Sequence, residues 1–305
     1  MNAIVNVNGQ IFHQKEAESN AQGRISVFDR GYLYGDSLYE VCRTYGGKLF
    51  GVAEHLDRLE KSAALCHMVL SQPLSEYAQQ MQDTVLAFQK RAGSTAEAYC
   101  RIIVSRGIGK IGFGLRCLES PTQFVVIVQP LEEPSPEQFE KGAVLEISHR
   151  IRNDRRALDP AMKSGNYLNS LLAYLEANAQ DFDDAILCNF EGHVTEGTTF
   201  NVGYIRRGIL ATPPLDVGIL DGLTRRRMLE ICAELGLPNR EVRFPPERML
   251  EADEVFLCST IKEVFPVTRL NDRKIAQGKP GPWTRKLQKA FRQSALKSLS
   301  NESMK

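Results

Sequence analysis

The sequence predicts an α+β protein with two domains, and three observations support this prediction. With 305 residues the chain is longer than a typical single domain, and its 43% hydrophobic and 25% charged residues are typical of globular proteins. Three prolines fall within the seven residues from Pro130 to Pro136, where they prevent a strand or a helix from continuing. Strand patterns and helical apolar stripes occur on both sides of this stretch.

We therefore expect a smaller, sandwich-like α/β domain at residues 1–128, a linker at 129–136 and a larger domain at 137–294. The many short strand patterns of the larger domain predict a barrel-like sheet with helices outside it. Residues 295–305 are mostly polar, and we expect them to form a fraying C-terminal tail.

Turn residues and apolar spacing define the elements of the first domain. Asn8-Gly9 joins two strand patterns, and this dipeptide favours the tight turn of a hairpin. Gly46-Gly47 joins two more, and apolar residues recur at helical spacing in the two segments that follow. The predicted elements are hairpins at 4–12 and 38–50, helices at 53–68 and 75–92, and strands at 98–104 and 124–128.

The second domain has shorter strand patterns that alternate with helical ones. Gly236 ends the second of three predicted helices, as glycine commonly does just beyond a helix. The predicted strands are 143–149, 185–188, 201–205, 209–211 and 254–258, and the predicted helices are 163–179, 224–235 and 283–294.

Charge and cysteine content narrow the functional classes. A net charge of +1 gives no reason to expect a nucleic-acid or membrane-surface partner. No stretch approaches 18 apolar residues, and the N-terminus lacks the layout of a signal peptide. The seven cysteines are scattered without a CxxC pair, so we expect reduced thiols, a cytoplasmic location and no metal site.

Lys163 is the first candidate for chemistry. It stands at the front of an apolar run that we interpret as a helix, and no other charge follows until Glu176. A lysine in an apolar environment tends towards the neutral amine, which can attack a carbonyl and form a Schiff base. Alternatively, Lys163 extends its amine to solvent from the start of the helix.

Three further segments contain groups suited to an anionic or cationic ligand. Glu196 lies beside an apolar strand and is expected to have a cationic partner, or else to cap a turn. Gly222-Leu223-Thr224 opens a helix, whose free N–H groups suit a phosphate, although Thr224 could simply be the N-cap. Ser259-Thr260 ends a strand with two hydroxyl groups, or is a plain strand-to-turn junction.

Arg58 completes the set, although on its own it is equally interpreted as a solvated helix arginine paired with Glu54. An amine, a carboxylate, an arginine and two phosphate-binding turns together match the needs of pyridoxal phosphate. This cofactor requires a lysine for its aldehyde, an acid at its pyridine nitrogen and a site for its phosphate.

The same segments, in the same order, resemble the class IV aminotransferases, the fold-type IV pyridoxal-phosphate enzymes. This family includes branched-chain and D-amino-acid aminotransferases, R-selective amine transaminases and aminodeoxychorismate lyase. The resemblance covers residues 3 to 292, and its segments are Phe28-Asp29-Arg30-Gly31-Tyr32-Leu33-Tyr34-Gly35-Asp36, Glu54-His55-Leu56-Asp57-Arg58-Leu59, Lys163-Ser164-Gly165-Asn166-Tyr167-Leu168, Thr195-Glu196-Gly197-Thr198, Gly222-Leu223-Thr224-Arg225 and Ser259-Thr260.

The resemblance implies a role for each position. Lys163 would be the catalytic residue, which holds pyridoxal phosphate and moves a proton, and Glu196 would pair with the pyridine nitrogen. Tyr167 would lie beside the ring. The implied phosphate site consists of Arg58, Leu223, Thr224, Ser259 and Thr260, and the implied substrate site of Tyr34, Tyr39, Arg43, Tyr99, Arg101 and Ile261.

The substrate preference follows from two conflicting resemblances. Tyr99-Cys100-Arg101 is similar to the Tyr-x-Arg element of branched-chain enzymes, which favours an L-branched-chain amino acid with 2-oxoglutarate as acceptor. Asp29-Arg30-Gly31-Tyr32 resembles the D-amino-acid enzymes instead. Ile111 and Phe113 stand where those enzymes have an Arg-x-His carboxylate site, and we expect them to form an apolar wall.

Other functions on this scaffold have less support. A D-amino-acid aminotransferase remains an alternative, and so does an aminodeoxychorismate lyase, although no basic pair for a ring dicarboxylate is evident. A non-catalytic binding protein is disfavoured because the lysine and the phosphate-binding segments are present. The resemblance also implies a homodimer, in which the loop from Arg106 to Phe113 would reach the neighbouring subunit.

Overall fold

The computed structural model describes residues 3–302, which form two compact units. The first unit contains residues 3–132 and the short segment Met162–Asn166, and the second contains Glu133–Ala161 and residues 167–302. The change from one unit to the other thus falls inside the proline-rich stretch. The first unit also includes the segment with Lys163, which the sequence had assigned to the second domain.

The first unit contains a six-stranded antiparallel sheet with the strand order β2-β1-β6-β5-β3-β4. Its strands are β1 Ile4–Val7, β2 Gln10–His13, β3 Ser37–Tyr45, β4 Lys48–Leu49, β5 Ala98–Ser105 and β6 Gln123–Pro130. Its helices are α1 Gln14–Ser19, α2 Arg30–Tyr34, α3 Val52–Leu65 and α4 Leu74–Ala92.

Both predicted hairpins are confirmed, and their turns explain why they form. Asn8 and Gly9 have φ values of 50° and 91°, and Gly46 and Gly47 have φ values of 58° and 79°. Two successive positive φ values are the requirement of the turn that matches the twist of paired strands.

Strand alternation gives the first sheet two different faces. Cys100, Ile102 and Val104 of β5 are fully buried with the apolar residues of α3 and α4 in a single core. Tyr99 and Arg101 alternate with them and are only partly buried, so they project from the opposite face. The helices therefore cover one face, and the other face carries polar side chains.

The second unit contains a nine-stranded mixed sheet with the order β12-β11-β10-β13-β14-β7-β8-β9, and β15 pairs with β14. Its strands are β7 Ala143–Ile151, β8 Asp184–Cys188, β9 Val194–Gly197, β10 Asn201–Arg206, β11 Ile209–Thr212, β12 Asn239–Glu241, β13 Glu254–Ser259, β14 Glu263–Leu270 and β15 Arg273–Lys274. Its helices are α5 Pro136–Lys141, α6 Leu168–Asn178, α7 Leu223–Glu234, α8 Glu247–Leu250 and α9 Pro282–Glu302.

The second sheet curls back on itself. β9 leads directly into β10, and the N–H of Gly197 donates to the carbonyl of Phe200 within this tight connection. Since β9 is the last strand in the order and β10 is the third, their contact bends the sheet into a half-barrel. The barrel-like sheet that the sequence predicted is confirmed.

The prediction that Lys163 begins a helix is wrong. α6 begins at Leu168, and Lys163 lies in an extended segment that pairs with β3. The N–H of Tyr39 donates to the carbonyl of Lys163 at 3.0 Å, and the N–H of Gly165 donates to the carbonyl of Ser37 at 2.7 Å. The strand satisfies the backbone of this segment, so no helical hydrogen bonds are needed there.

The predicted tail is also wrong over its described part. α9 continues through Glu302, and Ala295 and Leu299 are buried along it. Arg227 of α7 donates from Nε to the hydroxyl of Ser294 at 3.1 Å. Tertiary packing therefore stabilises a segment whose polar composition suggested fraying, and residues 303–305 lie outside the described part of the chain.

β14 was not predicted because Pro266 interrupts its pattern. Pro266 lies opposite Phe256 of β13, whereas the pairing of β14 with β7 begins only at Val267. A proline cannot donate a hydrogen bond to a neighbouring strand, and here no second neighbour is paired at that position.

Two general features concern the described residues as a whole. No helix among residues 3–302 is long and apolar enough to span a membrane. All seven cysteines lie in this range, and none forms a disulfide.

We predict that Gly281→Ala destabilises the second unit. An alanine Cβ at this position would lie 2.0 Å from Cδ of the buried Glu254. The Glu254 carboxylate is held in place because it accepts hydrogen bonds from the N–H groups of Trp283 and Thr284 at the start of α9, at 3.0 and 2.8 Å. Displacing it should lower the free energy of unfolding by about 2 kcal/mol in urea titrations.

Gly114→Ala is the control for this change, because the nearest atom to its added Cβ is 3.6 Å away. Equal stabilities of the two variants would show that Glu254 does not anchor α9.

Candidate functional site

Lys163 is fixed by its backbone and aims its amine at a tyrosine. Its N–H donates to the hydroxyl of Ser62 at 3.1 Å, and its carbonyl accepts from the N–H of Tyr39. Its Nζ donates to the Tyr39 hydroxyl at 2.9 Å and lies 4.4 Å from the centre of that ring. The amine is therefore held within the structure, which excludes the interpretation of Lys163 as a lysine that extends to solvent.

The guanidinium group of Arg101 lies over the ring of the same tyrosine, Tyr39, and one of its hydrogen-bond donors has no partner among the described residues. Its guanidinium carbon is 4.4 Å from the centre of the Tyr39 ring. Its Nε is buried and has no hydrogen-bond partner among the described residues. Buried donors are normally paired, so this side chain is suited to an anionic group from a ligand.

Tyr99 is the neighbour of Arg101 on this face. Burial raises the pKa of the Tyr99 phenol, although the charge of Arg101 and a hydrogen bond from it act in the opposite direction. The phenol therefore stays protonated at neutral pH and can donate a hydrogen bond. The structure thus brings together four of the predicted residues, namely Lys163, Tyr39, Tyr99 and Arg101.

Arg58 is buried and forms an ion pair that the sequence did not predict. Its Nε and Nη2 donate to the two oxygens of Glu40, each at 2.8 Å. The Nδ1 atom of His55 lies 2.7 Å from the same carboxylate. The expected alternative, a solvated arginine paired with Glu54, is wrong because Arg58 lies on the face of α3 that packs on β3.

The Glu40 carboxylate is ionised despite its burial. Burial alone would raise its pKa, but the charge of Arg58 and the hydrogen bonds from Arg58 and His55 outweigh this effect and lower the pKa to about 2. Burial is also the main reason that the pKa of His55 is lowered, so its imidazole is neutral at pH 7. Tyr39 and Glu40 are adjacent on β3, so their side chains lie on opposite faces of the sheet. Tyr39 faces Lys163, and Glu40 faces Arg58.

In the second unit, Glu196 lies on β9 and is held by three residues. A cationic partner was expected, and the structure shows that it is Arg152. Its Nε and Nη2 donate to Oε1 of Glu196 at 3.1 and 3.0 Å. Asn201 donates to Oε2 at 3.2 Å, and the N–H of Leu220 donates to the same oxygen at 3.0 Å. Glu196 thus lies on a strand and not in a turn, and it both pairs with an arginine and accepts the backbone N–H bond that the alternative interpretation expected.

Asn201 connects the Glu196 carboxylate to the start of α7. Besides its bond to Glu196, its amide donates to the carbonyl of Leu220 at 3.0 Å. Gly222 passes so close that an alanine Cβ there would lie 1.8 Å from Asn201 Oδ1. Glycine is therefore required at this position, and the spacing between Glu196 and the first turn of α7 is fixed.

The first turn of α7 contains the predicted phosphate residues Leu223 and Thr224. Gly222 is the N-cap and offers no side chain to the helix, so the interpretation of Thr224 as the N-cap is wrong. Thr224 is buried in the first turn, where backbone N–H groups lack partners within the helix. This end of the helix therefore favours an anion.

Tyr167 and the turn after β13 complete the predicted set in the second unit. Burial, and to a smaller extent the charge of Glu196, raises the pKa of the Tyr167 phenol, so this side chain lies near that carboxylate. The hydroxyl of Ser259 accepts a hydrogen bond from the N–H of Lys262 at 3.1 Å. Thr260 and Ile261 lie in the same turn and are partly buried.

Two predicted substrate residues have other environments. Arg43 is almost fully buried, with its guanidinium carbon 4.1 Å from the centre of the Tyr45 ring. The hydroxyl of Tyr34 accepts from the N–H of Gly112 at 3.0 Å. Arg43 therefore contacts Tyr45, and Tyr34 contacts Gly112.

The apolar wall expected of Ile111 and Phe113 does not form within this chain. Their side chains are 74% and 81% exposed, and the Phe113 ring contacts Tyr34 with 5.2 Å between ring centres. The loop itself is well held, because Nη1 of Arg30 donates to the carbonyl of Gly112 at 2.7 Å. Its two apolar side chains are thus presented outwards from an ordered support.

The sequence had not assigned a role to Ser62, Glu40, Arg152 or Asn201. Their signal was weak, because each acts on a predicted residue that is distant in sequence, and polar residues of this kind are common on protein surfaces. Only the alternation of side chains along β3, which places Glu40 on the same face as Leu38 and Cys42, could have indicated that Glu40 would face the helices.

The chain resembles known proteins over nearly its whole length. The family model described as amino-transferase class IV matches residues 37–270. A protein of Methanocaldococcus jannaschii named a putative branched-chain-amino-acid aminotransferase is 35% identical over 288 residues, with 94% of each chain covered. The D-alanine aminotransferase of Bacillus licheniformis is 34% identical over 289 residues, with 95% of this chain and 96% of the relative covered.

A solved structure agrees with these sequence matches. The branched-chain amino acid aminotransferase of Thermobaculum terrenum in its PLP-form superposes with a TM-score of 0.83 and 28% identity. The match covers 96% of this chain and 93% of that one.

We predict that Glu40 makes the free energy of unfolding depend on pH in the acidic range. Its pKa is lowered from 4.5 to about 2, and a carboxyl with a lowered pKa stabilises the fold above its unfolded-state pKa. This stabilisation is lost as the pH falls through the folded-state pKa. The protein should therefore lose about 3 kcal/mol of unfolding free energy between about pH 5 and pH 2 that Glu40→Gln does not lose.

Urea titrations across this pH range measure the difference. Glu60→Gln, at an exposed position of α3, should keep the full pH dependence. An identical pH dependence in all three proteins would contradict the prediction.

Proposed function

Because the chain belongs to the class IV aminotransferases, we propose that it transfers the amino group of an L-branched-chain amino acid to 2-oxoglutarate. Membership makes the chain an enzyme of amino-group transfer, and the structural match confirms the fold-type IV architecture that the sequence resemblance implied. The observation that best supports the proposal is the Lys163 amine, which lies 2.9 Å from the hydroxyl of Tyr39, beside an Arg101 whose Nε has no hydrogen-bond partner among the described residues.

We propose pyridoxal phosphate as the cofactor, because each unit, taken by itself, contains groups that suit it. The first unit supplies Lys163, whose Nζ would hold the cofactor covalently, and the buried Arg58 for its phosphate. The second unit supplies the Glu196 carboxylate for the pyridine nitrogen, and Tyr167 beside the ring. It also supplies further groups for the phosphate, which are the first turn of α7 with Leu223 and Thr224, and the turn with Ser259 and Thr260.

Bound pyridoxal phosphate supplies an aldehyde that joins to amines and a protonated ring that accepts the electron pair left on the substrate Cα when a proton departs. The protein supplies the remaining functions. Glu196, which is paired with Arg152, would stabilise the positive charge of the ring nitrogen. Lys163 Nζ would remove the proton from Cα and hold it.

Tyr39 would direct the Lys163 amine during this proton transfer. Its hydroxyl accepts a hydrogen bond from Nζ, which orients the lone pair of the neutral amine away from the tyrosine. An amine that is already oriented loses less entropy when it reaches the reacting carbon.

Arg101 and Tyr99 would bind the substrate carboxylate. The buried Nε of Arg101 lacks an acceptor, and a carboxylate would supply one in a charge-assisted hydrogen bond. The protonated Tyr99 would donate a second hydrogen bond. Tyr34, Tyr39, Arg43 and Ile261 are the further residues that we propose to shape this site.

A D-amino-acid aminotransferase is the second candidate, because a relative of that name is 34% identical over 289 residues. Ile111 and Phe113 disfavour it, because neither apolar side chain can bind a carboxylate. The two candidates therefore differ in where the substrate carboxylate binds.

We further propose that the protein is a homodimer in the cytoplasm. The side chains of Leu168, Leu171 and Leu175 on α6 are large, apolar and 66%, 46% and 52% exposed, and their spacing places them on one helix face. A second copy would cover this face, and at a net charge of +1 two copies repel each other little. The same partner would receive Ile111 and Phe113.

The free cysteines support the proposed location in the cytoplasm, which is a reducing compartment.

We predict that L-leucine and L-glutamate convert the cofactor-bound protein to its amine form, and that D-alanine and D-glutamate do not. The visible absorption of the bound cofactor should disappear with the L-amino acids, because amino transfer removes its link to Lys163. Stopped-flow absorbance with each amino acid measures this change. Bleaching by the D-amino acids alone would favour the second candidate.

Lys163→Ala is the control for this experiment. The rate of amino transfer should fall by at least about 10³-fold, because the variant lacks the Lys163 amine that would remove the proton from Cα. Turnover of this variant at the normal rate would exclude the proposed function altogether.

We predict that Leu171→Glu converts the dimer to a monomer. A charge in the centre of the α6 face would have to be buried without a partner, which costs several kcal/mol. Sedimentation should then show a mass of 34.2 kDa in place of twice that value. Val69→Glu, at an apolar residue that is 85% exposed elsewhere, should remain dimeric, and a monomeric wild-type protein would contradict the dimer.

A further inference from the structure

We propose that Ser62 of α3 is a positioning residue for Lys163, which it holds through the backbone N–H. Its effect on amino transfer rests on the proposed function, whereas its effect on the Lys163 segment does not. The proposal follows from the finding that Lys163 lies outside the helix in which the sequence placed it.

The segment with Lys163 depends on other elements for its backbone hydrogen bonds. Within a helix, the N–H of Lys163 would donate to a carbonyl four residues earlier. Here it donates to the hydroxyl of Ser62 at 3.1 Å, and the carbonyl of Lys163 accepts from Tyr39 at 3.0 Å. The two sides of the residue are thus fixed by two different elements, α3 and β3.

The Ser62 hydroxyl is well placed to act as a rigid acceptor. Ser62 is only 1% exposed, so water competes little for the hydrogen bond. Its helix α3 packs on β3 through the apolar core of the first unit. The position of the hydroxyl is therefore set by the fold.

The same face of α3 also carries Arg58 and His55. Residues 55, 58 and 62 are spaced by three and four positions, which places their side chains on one side of a helix. Arg58 and Ser62 are one turn apart, or about 6 Å along the axis. A single helix therefore fixes the distance between the arginine proposed for the phosphate and the backbone of the lysine proposed to hold the aldehyde.

This arrangement matters because the Lys163 side chain has four rotatable bonds. Its Nζ must be held in one place for covalent attachment and move slightly for proton transfer. A small shift of the backbone would be amplified at the end of such a chain, and a displacement near 1 Å can cost up to about 10²-fold in rate. Ser62 keeps the backbone still while the side chain moves.

The test compares Ser62→Ala with Thr84→Val, both as cofactor-loaded protein. Thr84 is a matched control, because its buried hydroxyl donates to the carbonyl of Gln80 at 2.6 Å within the same unit and contacts none of the proposed site residues. Hydrogen–deuterium exchange is measured for the peptide that covers residues 162–166, and kcat and KM are measured for the best amino donor.

We expect Ser62→Ala to speed exchange of the Lys163 amide about tenfold, because one buried hydrogen bond is lost. Its kcat should fall about tenfold while KM changes by less than about twofold. Thr84→Val should change neither the exchange of this peptide nor kcat, although it should lower stability by a similar amount.

Two results would overturn the proposal. One is an exchange rate of residues 162–166 that is the same in Ser62→Ala and Thr84→Val. The other is faster exchange in Ser62→Ala with an unchanged kcat, which would make the contact purely structural. If the wild-type protein transfers no amino group, the proposed function fails, and the exchange measurement alone still decides whether Ser62 holds the Lys163 segment.

Discussion

Backbone hydrogen bonds between β3 and the segment of Lys163 connect residues that are more than a hundred positions apart in the chain. They bring the Lys163 amine to the sheet of the first unit. An alanine Cβ at Gly165 would lie 2.3 Å from the hydroxyl of Ser37, so this close approach requires glycine. The orientation of Tyr39, the place of Arg101 and the contact with Ser62 all depend on this pairing.

Each unit also contains a buried carboxylate that is paired with an arginine. Glu40 binds Arg58 in the first unit, and Glu196 binds Arg152 in the second. Compared with apolar residues of the same size, such a buried pair gains little stability, because desolvation of both charges offsets their attraction. The main role of each pair is therefore to hold a charge at a fixed position, and we propose that the cofactor requires a charge there.

The elements that the sequence predicted well are those with local causes. The hairpin turn at Asn8-Gly9 and the apolar stripes of α3 and α4 depend on neighbours within a few residues, and all of them are confirmed. Two of the features that were missed depend on distant partners. β14 contains Pro266, which is tolerated because the pairing of β14 with β7 begins only at the next residue. The end of α9 is stabilised by burial of Ala295 and Leu299 and by contact with α7.

The sequence by itself determined the family, the α+β class and the chemical types of the site residues, because residue types and their order are written in the chain. The tertiary structure alone decided that Lys163 lies in a segment hydrogen-bonded to β3, that Arg58 is directed by Glu40 and that Glu196 is held by Arg152. These arrangements join distant residues by hydrogen bonds whose donors and acceptors occur on every surface. Only the fold selects which of them meet.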